Sequence, residues 1–259
     1  MRAFRYLLGG IVLCTLVMIV FFEMGGGFFP EPVDMTEPVS ITLQEIASWP
    51  DAKEITIRVP RKFFIPGVPN SGIGKGINLI TFYPTFISTR EARKLGYQSD
   101  CVGYCNGRVM ISFENRGLRG GAANATDNWA ALYMKAPTIY RSPYGHEFPA
   151  FVAVDREPQF GFDRVFDHET HPGGGPDITS VDRYLFKYNE TRTGFDLVAK
   201  CHMQVPVPAC ALYFSPRCEP ALSIEVIGWQ YERMAEAMNL WKSAKAFVFP
   251  MLTSPACHD

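Results

Sequence analysis

The sequence predicts an α+β fold, a mostly antiparallel sheet closed by one amphipathic C-terminal helix. Three observations carry this. Four short apolar runs succeed one another at turn-sized spacing between Arg183 and Ile227, the signature of an antiparallel meander. The period then changes, and Met234, Met238, Trp241 and Val248 recur at helical intervals over Tyr231 to Phe249, with Glu232, Arg233, Glu236, Asn239 and Lys242 on the other face. Twenty Phe and eleven Tyr among 259 residues suit a β-rich core.

The remaining elements are read from local pattern. Residues 40–48, with Ile41, Leu43 and Ile46, fit either a short strand or a helical turn. Glu54 to Pro60 alternates strictly and reads as a strand with Ile55, Ile57 and Val59 on one face. A Pro/Gly-rich loop, 66–76, precedes a strand over Ile77–Phe86, whose end Pro84 demotes to an edge or bulge. Thr89 to Tyr97 is a short helix or loop, and Arg108 to Phe113 a strand. Asn115 to Asp127 reads as loop, Ala130 to Tyr140 is ambiguous between helix and strand, and Pro149 to Val154 is extended. From Phe160 to Asp182 the chain reads as irregular around Pro172-Gly-Gly-Gly-Pro176. The meander comprises Arg183–Tyr188, Phe195–Met203, Ala209–Phe214 and Leu222–Ile227.

The N-terminus carries a separate signal. Arg2 and Arg5 precede a run without charges from Tyr6 to Phe22, ended by Glu23. Seventeen residues make a helix of about 25 Å, close to a hydrocarbon core of about 30 Å. Cations before such a run keep the N-terminus in the cytoplasm and send the rest of the chain across the membrane. Bulky residues occupy the end of the run where a cleavage site needs small ones, which favours an uncleaved anchor. The expected organisation is an anchor over 1–24, a Gly/Pro/acidic tether over 25–38 and an exported domain over 39–259, whose two strand-rich halves meet near 155–182. The expected location is the inner (cytoplasmic) membrane, single-pass, with the soluble domain in the periplasm. The chain has 25 basic and 26 acidic residues. Setting aside 1–29 removes Arg2, Arg5 and Glu23 and leaves 23 against 25. That balance argues against nucleic acid as a partner.

Beyond Cys14, six cysteines lie in the exported part: Cys101, Cys105, Cys201, Cys210, Cys218 and Cys257. An even number in an oxidising compartment is a disulfide framework whose pairing the sequence alone leaves open. Local spacing suggests Cys201 facing Cys210 across the turn Val205-Pro-Val-Pro208, Cys101 and Cys105 closing a short loop, and Cys218 tying the late strands to Cys257. Zinc is the rival reading of Cys101-x3-Cys105, without a second matching pair.

The densest polar cluster is Asp163, Asp167, His168, Glu169, His171 and Asp177. It reads either as an exposed polar loop or as a divalent-metal site built on Asp167, His168 and His171, with a third side chain such as His146 or His202 supplied from elsewhere. His-Glu-Thr-His lacks the helical spacing of a metalloprotease pair. No nucleophile elbow occurs. Cys201 and His202, adjacent on a strand, point to opposite faces and form no dyad. Gly72-Ile-Gly-Lys-Gly76 lacks the hydroxyl residue of a phosphate loop and reads as flexible. No cofactor is expected.

In its layout the chain resembles the small membrane-anchored exported proteins of bacteria that serve as immunity proteins against secreted antibacterial toxins. The features that carry the resemblance are the anchor with Arg2 and Arg5, the Ile77–Pro84 strand ending in Phe-Tyr-Pro, the Cys201/Cys210 hairpin and the closing Trp241 helix. It implies a non-enzymatic domain that occludes a toxin. Loops at 66–76, 115–127 and 160–182 are the expected contact surfaces. The alternative expectation is an exported metal-dependent hydrolase using His168 and His171.

Overall fold

Alternating apolar residues build most of the chain into strands, because successive side chains of a strand point to opposite faces. The computed structural model describes residues 37–44, 53–64, 71–74, 76–97, 107–118, 122–134, 139–141, 147–149, 151–170, 182–203 and 206–257. Thr36–Asp259 form one compact unit. Among the described residues no helix is long and apolar enough to cross a membrane; the run Tyr6–Phe22 lies outside them.

Strands β1 (Pro38–Leu43), β2 (Ile55–Pro60) and β3 (Ser71–Gly74) form a small sheet in the order β2-β1-β3. β1 runs antiparallel to β2 and parallel to β3. Strands β4 (Gly76–Phe82), β5 (Ile87–Ser88) and β6 (Arg108–Asn115) open the main sheet. A hairpin of β7 (Ile139–Arg141) and β8 (Glu147–Pro149) pairs separately. The main sheet is completed by β9 (Phe151–Arg156), β10 (Arg164–Thr170), β11 (Asp182–Tyr188), β12 (Phe195–His202), β13 (Ala209–Phe214) and β14 (Leu222–Gln230). Its nine strands lie in the order β5-β4-β6-β14-β13-β12-β11-β10-β9, every neighbouring pair antiparallel. The predicted meander is β11 to β14, and the fold is α+β.

Among the described residues three α-helices accompany the sheets: α1 (Thr89–Lys94), α2 (Ala125–Met134) and α3 (Ala237–Val248). α1 is opened by a capping box in which Ser88 and Glu91 satisfy each other's backbone N–H groups. Those hydrogen bonds, chiefly from the Ser88 backbone, lower the Glu91 carboxyl to about 2. α3 covers one face of the main sheet together with β1 and β2. Leu79, Ile111, Phe113, Leu185, Leu197, Leu212, Ile224 and Val226 meet Ile41, Leu43, Ile57, Leu240 and Val248 in one buried core. Asn115, 1% exposed, joins the two sheets: its amide donates to the carbonyls of Leu43 (3.1 Å) and Lys53 (2.7 Å). The opposite face carries α2 and a second cluster of Tyr133, Phe166, Tyr184, Phe186, Val198 and Tyr213.

Several expectations are corrected. The 160–182 stretch is not irregular throughout, since Arg164–Thr170 is a paired strand; Val165 and Phe166 supply the apolar residues for the two cores. Ser71–Gly74 is strand rather than loop, held by β1. Of the ambiguous segment, Ala130–Met134 is helix and Ile139–Tyr140 strand; the helix begins at Ala125, inside the expected 115–127 loop, because Trp129 and Tyr133 pack on the sheet. In the C-terminal helix Tyr231–Glu236 is 3-10, which turns the buried stripe to Met234, Ala237, Leu240, Ala244 and Val248 and leaves Met238 and Trp241 half-buried at its margin. β9 and β10 pair with each other, and β10 with β11, at one edge of the main sheet.

Candidate functional site

Asp167 and His168 are consecutive on β10 and point to opposite faces of the sheet. Asp167, 2% exposed, lies on the α3 face opposite Arg183. Arg183 grips it through Nε to Oδ1 (2.7 Å) and Nη2 to Oδ2 (2.9 Å), and Arg156 adds Nε to Oδ2 (2.8 Å). Arg183 also donates to the Tyr231 hydroxyl. Burial pushes the Asp167 carboxyl up, but the hydrogen bonds and charges of the two arginines outweigh it and hold the carboxyl below its ordinary value. These contacts occupy both oxygens with protein donors. His168 lies instead on the α2 face, its ring 4.5 Å from that of Tyr184. Burial lowers its pKa, and Lys200 acts in the same direction against Asp182. The structure therefore does not bring Asp167 and His168 together, and His171 and His146 lie outside the described residues. Among the described residues no three His, Cys, Asp or Glu side chains are arranged to hold a metal ion.

The disulfide expectations concern the same sheet. Cys201 and Cys210 are register partners on β12 and β13 and are bonded; Cys218 is bonded to Cys257. Cys101 and Cys105 lie outside the described residues. As strand alternation requires, Cys201 is buried in the core while His202 is exposed on the other face, with Nδ1 2.7 Å from Asp182 Oδ1.

The α2 face is where polar and aromatic side chains gather, and sequence reasoning missed it. Strand pairing aligns Ile80, Met110, Ile227, Ala211, Lys200, Tyr184 and Phe166 in one row across seven strands. The next row runs from Asn78 through Ser112, Glu225 and Tyr213 to Val198 and Phe186. α2 lies over the middle of the face. Its Trp129 indole N–H donates to Ser223 Oγ (2.9 Å), and its ring centroid is 4.4 Å from that of Tyr213. Arg116 stacks 4.1 Å from the Trp129 ring centroid, a cation–π contact. Tyr133 continues the ring contacts to Tyr184 at 4.9 Å. Ten residues make a helix of about 15 Å, whereas nine strands span about 40 Å, so α2 covers only part of the face. Ile80 is left 37% exposed on the sheet and Leu132 57% exposed on the helix.

Charge on this face is arranged in two groups. Asp182 receives Lys200 Nζ (3.0 Å) and the Tyr184 hydroxyl (3.2 Å), besides His202. Across α2, Arg116 binds Glu114 tightly (2.6 Å) and reaches Glu225 only at 3.7 Å, a Coulombic contact rather than a hydrogen bond. Burial first, and the neighbouring Glu114 second, push the Glu225 carboxyl up to about 7. Burial also pushes the Tyr213 hydroxyl up to about 12 and those of Tyr133 and Tyr184 above their ordinary values. The one signal in the sequence was the alternation Ser112-x-Glu114 and Ser223-x-Glu225, polar residues at every second position of otherwise apolar strands.

No protein-family model and no curated protein matches the chain. Two solved structures are similar to it in outline. One is Smlt3025, an immunity protein of the Stenotrophomonas maltophilia type IV secretion system, with a TM-score of 0.46 and 11% identity over 82% of this chain and 91% of that one. The other is the Neisseria meningitidis iron-regulated outer membrane lipoprotein FrpD, with a TM-score of 0.41 and 9% identity over 83% of this chain and 93% of that one. At such scores neither likeness carries an argument about what this chain does.

Proposed function

We propose that the chain is an exported binding protein of the immunity type, which sequesters a secreted protein toxin through the part of the α2 face that α2 leaves open. The observation that supports this is the composition and rigidity of that face. Trp and Arg are residues that dominate binding hot spots, and here half-buried Arg116 and Trp129 are held in mutual contact at the margin of that open part, on a support made rigid by the buried rings of Tyr133 and Tyr213. Exposed Ile80 and Leu132 flank them as apolar anchors. The contact surface is thus moved from the polar loops to the sheet.

The same proposal sets the domain in the periplasm, on a single-pass inner-membrane anchor. That rests on Arg2, Arg5 and the uncharged run after them.

The test is a killing assay. The full chain, expressed in a susceptible sibling strain, protects it from the toxin-secreting parent. Ile80→Asp combined with Arg116→Glu abolishes protection at unchanged protein level, while Lys62→Glu, away from this face, leaves it intact. Absence of protection by the unaltered chain, or full protection by the face variant, refutes the proposal. Stoichiometric zinc in the purified chain, lost with His168→Ala and His171→Ala, would favour the metal-dependent hydrolase instead.

A further inference from the structure

A second site lies away from the α2 face, where α3 meets the turn after β13. A cleft of about 300 Å³ opens there, with Pro216, the Cys218–Cys257 disulfide, Trp241 and Phe249 among its walls. That volume is at the lower end of small-molecule sites. Its charged groups are Arg217, Lys245 and Asp196.

Lys245 is the unusual member. Its ammonium sits 3.7 Å from the centroid of the Trp241 ring, half-buried. Burial lowers its pKa, Arg217 and Lys242 push the same way, and Asp196 opposes them. Two cations therefore line the cleft against one acid, in a chain whose net charge is −1. Among the described residues no carboxylate lies within 4.0 Å of Lys245 or Arg217. A partly dehydrated ammonium that Asp196 reaches only through space, with no described carboxylate in contact, is a costly arrangement that an anion would relieve.

The walls are also fixed beforehand. The disulfide holds the C-terminal segment against the turn, and Ser215 is tied to α2 through the backbone N–H of Thr126 and a hydroxyl contact with it, both 3.1 Å. Beyond the Ser215–Arg217 ridge a second depression of about 280 Å³ shares Asp196, Pro216 and Arg217 and brings Asn189 and Thr191. Arg217 thus lines both hollows.

We propose that this cleft binds the oxyanion group, phosphate or carboxylate, of a small organic ligand. Lys245 and Arg217 hold the anion and the Trp241 ring receives the ligand's apolar body. The site is independent of the toxin-binding face.

The test is a fluorescence titration of the full purified chain in detergent with inorganic phosphate, phenyl phosphate and phenol. Phenyl phosphate gives a saturable change in tryptophan emission and binds more tightly than phosphate, while phenol gives none. Lys245→Met weakens phenyl phosphate by about tenfold or more, the loss of one charge-assisted contact. Lys245→Arg restores most of it, and Lys62→Met, outside the cleft, changes nothing. Trp241→Phe removes the optical change, and the affinity of that variant is then read by calorimetry. Melting curves of all variants in the absence of ligand check folding, and a poorly folded Lys245→Met is replaced by Arg217→Gln. Equal titrations in Lys245→Met and the unaltered chain, saturable binding of phenol alone, or no saturable change with any of the three probes overturns the proposal.

Discussion

Replacement of Asp167 by Asn removes a charge from the most enclosed ion cluster described. The carboxylate is 2% exposed and meets three arginine N–H groups at 2.7 to 2.9 Å. Breaking a buried pair on one side costs about 3–5 kcal/mol, because the partner charge stays behind without compensation. Arg183 is one-fifth exposed and Arg156 two-fifths, so solvent screens part of that loss. The expectation is therefore the lower end, about 3 kcal/mol, or a melting point lower by about 6 °C for a domain of this size. A second signature lies in the pH dependence. The folded carboxyl is held below its ordinary value, so its stabilisation is complete above the ordinary carboxylate range and is lost as pH falls through the folded value. The unaltered chain thus loses stability on acidification below about pH 4, and Asp167→Asn lacks that contribution. Urea unfolding of the full chain between pH 2.5 and 7, monitored by tryptophan fluorescence, measures both. A loss under about 1 kcal/mol together with an unchanged acid slope would refute the reasoning.

Glu225→Gln has the opposite sign. A carboxyl raised to about 7 favours the folded state while protonated, and stability falls as pH rises from the ordinary carboxylate value through 7. At pH 8 the substitution stabilises by about 2–3 kcal/mol and flattens the profile between pH 5 and 8, as denaturant titrations would show. Asn115→Ala strips the carbonyls of Leu43 and Lys53 of their buried donor and costs about 2–3 kcal/mol, with hydrogen exchange accelerating in β1 ahead of the main sheet. The two described disulfides differ by loop length, 9 against 39 residues of separation. Loop entropy gives about 3 kcal/mol for Cys201–Cys210 and about 4 kcal/mol for Cys218–Cys257, so paired Ser substitutions at 218 and 257 lower the urea midpoint more.

The parts of the fold set by period were legible in the sequence. Ile55, Ile57 and Val59 alternate and form β2, and the four runs from Arg183 onward pair in the expected sequence. β10 was hidden because its alternation joins unlike residues: Val165 and Asp167 face one core, while Phe166 and His168 face the other. A strand buried on both sides, with a charge neutralised by distant arginines, shows no apolar stripe. The helical stripe was displaced for a different reason, since the 3-10 turn at Tyr231–Glu236 has fewer residues per turn than an α-helix and so shifts the phase of the residues after it. Of the candidate site, the Cys201/Cys210 pair was readable from the hairpin spacing. The Glu114–Arg116–Glu225 group was not, because it depends on the register between β6 and β14, over a hundred positions apart in the chain.

The order β2-β1-β3 bears on how the domain carries a load. β1 is the first described strand, and it occupies the middle of its sheet, with a neighbour hydrogen-bonded along each side. Tension applied at Glu37 acts along the axis of β1, so the bonds to β2 and β3 must shear together instead of opening one after another from an edge. β2 is pinned in turn, by the bridge from Ile57 to Leu252 and by the Thr253 hydroxyl on the Thr56 carbonyl (2.6 Å). A pull delivered through the N-terminal side is therefore passed to the C-terminal segment, which Cys257 fastens to the main sheet's own turn at Cys218. Such a strand order resists being drawn out by a partner that is itself moving, and a force ramp applied between Glu37 and a captured ligand would meet this small sheet as its first mechanical barrier.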